Sequence, residues 1–128
     1  KNAETIAKFR NDHPEVSNVS WAGFKENNYN KLAKKYFKYG FGSVFTFSLN
    51  EGYEGAIKLV ENCNLMSHLA NVGDTKTLIV HPASTTHRQL NAKQKESAGI
   101  NDSMIRISIG LESYKDIKED LNEALETL

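Results

Sequence analysis

The sequence predicts a two-layer α+β domain (an α/β sandwich of two layers): a small, mostly antiparallel sheet with helices on one face. Three observations carry this expectation. Two stretches alternate with the period of a half-buried strand: Phe45, Phe47 and Leu49 against Thr46 and Ser48, then Ile105, Ile107 and Ile109 against Met104, Arg106 and Ser108. Around them lie segments whose apolar residues recur at three and four, as on one side of a helix. Each strand has one polar face, so helices are expected on one side of the sheet, with the other left for something else. At 128 residues and 14.4 kDa the chain has room for a single domain, residues 1–128, burying roughly two thirds of its unfolded surface.

Each element has a local cause. Ala3, Ile6, Ala7 and Arg10 fall at helical spacing, and His13-Pro14 ends the pattern because proline disfavours the helical conformation in the residue before it. A short strand is expected from Val16 to Trp21, ahead of a turn at Gly23. From Tyr29 the positions Tyr29, Leu32, Ala33, Tyr36 and Phe37 make one helical side and Lys31, Lys34, Lys35 and Lys38 the other, an amphipathic helix with a basic outer face. Gly40 and Gly42 precede the Phe45 strand, and Gly52-Tyr53 opens a helix through Ala56, Ile57 and Val60 to Cys63. Leu65 to Val72 shows no clear period, but Gly73-Asp74 turns the chain into the β-rich run Thr77 to His81, which Pro82 stops. Ser84 to Ser103 is a long polar connection with room for a helical turn, and such connections are more often functional than idle. Gly110 ends the isoleucine strand. Ser113 and Asp116 resemble a capping box, and Ile117, Leu121, Ala124, Leu125 and Leu128 stripe the closing helix.

Composition removes several functions. Sixteen basic and sixteen acidic residues give zero net charge, so no domain-wide field gathers nucleic acid or anionic lipid. One cysteine excludes an intrachain disulfide and suits a reducing cytoplasm, and no apolar run approaches the ~20 residues that span a bilayer. No nucleic-acid or membrane partner is expected. The chain opens at Lys1, without methionine and already inside a helix pattern, which suggests a piece of something longer.

Ser84, His87 and Asp102 supply the residue types of a hydrolytic triad without a G-x-S-x-G elbow, and His81 and His87 lack metal-ligand spacing. Gly40-Phe41-Gly42 opens a strand instead of a helix and reads as a turn, not a phosphate cradle. Cys63 is in phase with Val60 and reads as core. Arg106 stands apart. It lies on the polar face of the most apolar strand, where its planar fork would be partly desolvated and suited to a bidentate carboxylate.

The run His81-Pro82-Ala83-Ser84-Thr85-Thr86-His87, continued by Gly99-Ile100 and by Met104 to Glu112, resembles the C-terminal signature of the Cys/Met-metabolism family of pyridoxal-phosphate enzymes. Asn71 to Lys76 followed by Leu78 and His81, with Thr85 and Gln89-Leu90 beyond, most resembles its O-acetylhomoserine sulfhydrylase branch. His13-Pro14, Tyr36-Phe37 and Val44 to Phe47 extend the likeness over the whole chain. The resemblance implies the C-terminal small domain of a fold-type I enzyme. It implies that Arg106 clamps the α-carboxylate of an amino-acid substrate and that Ser84 lies nearby, with its hydroxyl or N–H as donor. Thr85, Thr86 and His87 are weaker candidates, and Glu112 is expected to support the turn and the following helix and not to contact substrate. Pyridoxal phosphate would bind in an N-terminal domain of the full-length homotetramer, and none is expected on this fragment, because Lys76 matches the turn before the His81 run and not an aldimine lysine. Cystathionine γ-synthase, γ-lyase and methionine γ-lyase are alternatives within the family. A stand-alone, non-catalytic interaction domain is the alternative outside it.

Overall fold

Two alternating strands at the centre of a sheet organise the molecule. The computed structural model describes residues 1–128 in the order α1 (Asn2–Asn11), β1 (Val16–Ser20), α2 (Asn30–Tyr36), β2 (Val44–Leu49), α3 (Gly52–Asn62), β3 (Leu78–Val80), α4 (Ala92–Ser97), β4 (Met104–Ser108) and α5 (Tyr114–Leu125). The strands form one sheet in the order β1-β2-β4-β3, antiparallel throughout. Register follows from the alternation: Phe45 lies opposite Ile107, Phe47 opposite Ile105, and Ile79 opposite Ile107 from the other side. A slip of one residue would turn every one of these side chains to the other face. In β1 the buried residues Val16 and Val19 are three apart, a spacing that alternation alone would split between faces; the register shift between Val16 and Asn18 brings both inward.

The inner face is covered by α1, α3 and α5. Ile6 and Ala7, Ala56 and Leu59, and Ile117, Leu121 and Ala124 are fully buried in the same cluster as the strand phenylalanines and isoleucines. Each large aliphatic or aromatic side chain so removed from water contributes about 1.5–3 kcal/mol. Cys63 joins this cluster, and burial first, then the charge of Asp120, pushes its thiol up to about 12 against a weaker opposing pull from Arg10. Such a thiol holds almost no thiolate at neutral pH, so Cys63 is expected to stay unmodified by a disulfide reagent until the protein unfolds. Stoichiometric labelling of the native protein within minutes would contradict this.

Two expectations need correction. The side of α2 read as apolar is not buried: Asn30 and Ala33 face inward, while Tyr29, Leu32, Tyr36 and Phe37 are all more than half exposed. The periodicity was real, but the inward positions are the small ones, and no element of the chain covers the large ones. The capping box at the start of α5 is also incomplete. Ser113 Oγ accepts the Lys115 N–H at 3.3 Å, and Asp116 makes no return bond to the cap. Both reciprocal bonds form at α4, where Asn91 Oδ1 accepts the Gln94 N–H and Gln94 Oε1 the Asn91 N–H.

Candidate carboxylate-binding site

The outer face of the sheet centres on β4. Arg106 projects there, flanked across the sheet by Thr46 and Val80 and along its own strand by Met104 and Ser108. It is half-buried, and its one hydrogen bond runs from Nη2 to the backbone oxygen of Asn71 at 3.2 Å. No carboxylate of the chain neutralises it; the two ion pairs are Lys8 with Glu4 and Lys95 with Asp102. A guanidinium partly withdrawn from water, with most of its donors uncommitted, is chemically a receptor for a carboxylate or phosphate.

Asn71, which sequence reasoning did not weigh as a site residue, is therefore the immediate neighbour of Arg106. Its turn is internally braced: Asn71 Nδ2 donates to Asp74 Oδ2 at 3.4 Å, and the Lys76 N–H donates to Asp74 Oδ1 at 2.9 Å. Those bonds, the Lys76 amide foremost, hold the Asp74 carboxyl below its usual value. The Gly73-Asp74 pair signalled the turn, but nothing local signalled that it folds against a residue 35 positions away.

Glu112 ties the start of β3 to the end of β4. Its carboxylate accepts the Thr77 N–H and the Thr77 hydroxyl, each at 2.7 Å, and Thr77 Oγ1 accepts the Gly110 N–H at 2.9 Å. Leu111 N–H donates to Thr75 O at 2.8 Å, and a Cβ on Gly110 would lie 2.3 Å from that same oxygen, so only glycine permits the approach. The side chain of Glu112 thus braces the turn before β3, and not its own turn and the helix after it as expected. Partial burial alone would raise the Glu112 pKa, but the two bonds from Thr77 outweigh it and the net shift is downward. A carboxyl lowered in the folded state stabilises above its unfolded value, near 4.5, and loses that contribution as pH falls through the lowered one. The thermal midpoint should therefore fall on acidification below about pH 4.5, and less steeply in Glu112→Gln.

Ser84 and Thr85 lie in the turn after β3, and the structure joins neither to Arg106 by a hydrogen bond. Their donors converge on His81, which is buried against the Tyr53 ring at a centroid distance of 5.0 Å. The carbonyl of Asp102, 2.7 Å from His81 Nε2, can only accept, so Nε2 carries the ring proton. In the neutral ring Nδ1 then accepts from Ser84 Oγ at 2.8 Å. The Ser84 N–H and the Thr85 hydroxyl both donate to His81 O, and Thr86 Oγ1 lies 2.8 Å from His87 Nδ1 at the surface.

The residues here do not fit a pyridoxal phosphate site. Lys76 is exposed in a turn, and Gly40-Phe41-Gly42 leads into β2 and not into a helix.

Fold and site together define a two-layer α+β domain with a half-buried arginine on the sheet face turned away from α1, α3 and α5. The chain belongs to the family of Cys/Met metabolism PLP-dependent enzymes, whose model matches residues 1–126. It is 44% identical over 125 residues to O-acetyl-L-homoserine sulfhydrylase 1 of Thermus thermophilus, covering 98% of this chain and 30% of that protein. It is 40% identical over 128 residues to an L-methionine gamma-lyase of Fusobacterium nucleatum, covering 100% of this chain and 32% of the relative. A crystal structure described as an O-acetylhomoserine (thiol)-lyase from Campylobacter jejuni superposes with a TM-score of 0.90 at 42% identity, over 98% of this chain and 30% of that one; it carries a pyridoxyl-lysine monophosphate. The chain thus spans about 30% of the length of these relatives.

Proposed function

We propose that residues 1–128 are the C-terminal small domain of an O-acetylhomoserine sulfhydrylase, a transferase that replaces acetate by sulfide at Cγ of O-acetylhomoserine to give homocysteine. The observation that carries this reading is the unneutralised, half-buried Arg106 on an inner strand of the outer sheet face. The family and the likeness to sulfhydrylases support it.

Arg106 receives the substrate α-carboxylate and so fixes which way the Cα–H bond faces, a contribution of orientation. Ser84 has the smaller share. Its hydroxyl is engaged with His81 and reaches a carboxylate only by exchanging that bond, while Thr85 holds the turn. Pyridoxal phosphate, when bound, supplies the electron sink. The lysine that carries it and the donors for its phosphate belong to an N-terminal domain of the same polypeptide, in a cytoplasmic homotetramer, and residues 1–128 alone are inactive.

The test is nucleophile choice in the full-length enzyme. Homocysteine formed from O-acetylhomoserine and sulfide supports the reading. Cystathionine formed with cysteine in preference, or methanethiol released from methionine alone, would reassign the domain to a synthase or a γ-lyase. The second of these is favoured by the 40% identity to a methionine gamma-lyase.

A further inference from the structure

The Arg106 guanidinium makes one hydrogen bond within its own chain, to the Asn71 carbonyl, and that group belongs to a turn rather than to the sheet. What fixes the turn therefore fixes the direction of the guanidinium. Downstream it is held where Thr77 enters β3, and Thr77 is fully buried with both its N–H and its hydroxyl on Glu112. A continuous path of hydrogen bonds and short chain runs from Glu112 through Thr77, the Asp74-capped turn and Asn71 O to Arg106 Nη2.

We propose that Glu112 is a positioning residue for Arg106: acting through Thr77, it holds the Asn71 carbonyl against the guanidinium and sets the angle at which the fork meets an amino-acid carboxylate. The proposal rests on the reading of Arg106 as the carboxylate receptor. Glu112 itself touches no substrate, its two oxygens being occupied by Thr77. Glu112→Gln leaves one amide oxygen for the two Thr77 donors, so one of them loses its acceptor, and the Thr75–Thr77 segment keeps its bonds to Leu111, Gly110 and Ser67 and the Lys76 N–H bond to Asp74. The turn then has freedom to shift, and a guanidinium whose one local partner moves loses its preset orientation, the component of binding that costs most when misplaced.

The experiment compares Glu112→Gln, Thr77→Val and Thr77→Ser in the full-length enzyme. It reads KM and kcat for O-acetylhomoserine and, by calorimetry, the Kd of L-homoserine, which lacks the leaving acetate. Glu112→Gln and Thr77→Val should raise KM and Kd about five- to twentyfold while kcat stays within about twofold, and Thr77→Ser, which keeps the hydroxyl, should restore binding. A folded Glu112→Gln with unchanged KM and Kd overturns the proposal, as does a fall in kcat with KM unchanged. Should Thr77→Val fail to fold, the near-isosteric Glu112→Gln decides. Arg106→Lys measured alongside separates the two levels. If it too leaves KM and Kd unchanged, the carboxylate reading itself fails; if it weakens binding and the Glu112 variant does not, only the positioning role fails.

Discussion

Arg106→Lys in the full-length enzyme should weaken amino-acid binding by about 1.5–3 kcal/mol, about ten- to a hundredfold in KM, with little effect on thermal stability. Lysine keeps the charge but not the planar fork, so the paired bonds to a carboxylate are lost. Stability should move by less than about 0.5 kcal/mol, because Arg106 joins no ion pair and makes a single hydrogen bond, to Asn71 O. The combination is diagnostic. A solvated surface arginine would change neither quantity, and a structural one would lower the melting temperature. Unchanged kinetics would place Arg106 among ordinary surface cations and remove the observation on which the proposed function stands.

How much of this was legible from sequence depends on whether the cause was local. Phe45, Phe47, Ile105 and Ile107 declare β2 and β4 because a period of two is written into adjacent residues. Gly73-Asp74 and Pro82 bound β3 because turn chemistry and proline act on their immediate neighbours. The outward side of Arg106 was readable for the same reason. Its neighbour was not: Asn71 reaches Arg106 only through tertiary folding of a segment with no period of its own. Ser84 shows the converse. Its position near the end of β3 was readable, but its hydroxyl bonds back to His81, a commitment that residue type alone does not reveal. In α2, periodicity named a stripe without saying whether the chain covers it. Glu112 was read as a support, and only the coordinates show that what it supports is Thr77.

Arg10→Met should stabilise the protein by about 1–3 kcal/mol, raising its thermal midpoint by about 4–10 °C. Arg10 sits at an apolar position of α1 and is completely buried. Nη2 donates to Asn122 Oδ1 at 2.8 Å and the guanidinium stacks 4.1 Å from the Phe9 ring centroid, but Nε and Nη1 have no partner. Burial lowers its pKa to about 10, against a smaller opposing effect of Cys63. For a cation the sign is a penalty: burial disfavours the charged form that the unfolded chain keeps in water, so the fold is less stable than with a neutral group here, and the penalty eases only as pH rises through the lowered value. Methionine fills similar space without a charge and gives up the stacking on Phe9 and the bond to Asn122, which is partly exposed and can turn to water. The opposing consideration is Asp120, also buried and, like Arg10, near enough to Cys63 to act on its thiol, with Oδ1 accepting the Asn64 and Leu65 N–H groups and Oδ2 unpartnered. Asp120→Ala leaves the partly buried Asn64 and Leu65 amides without their acceptor and should cost about 1–3 kcal/mol. A double-mutant cycle of Arg10→Met with Asp120→Asn, which keeps an acceptor for both amides, separates the two charges. If Arg10→Met destabilises the protein and Asp120→Asn rescues it, the guanidinium offsets the buried carboxylate by more than its own desolvation costs; if Arg10→Met alone is stabilising, the charge at position 10 is a net burden on the fold.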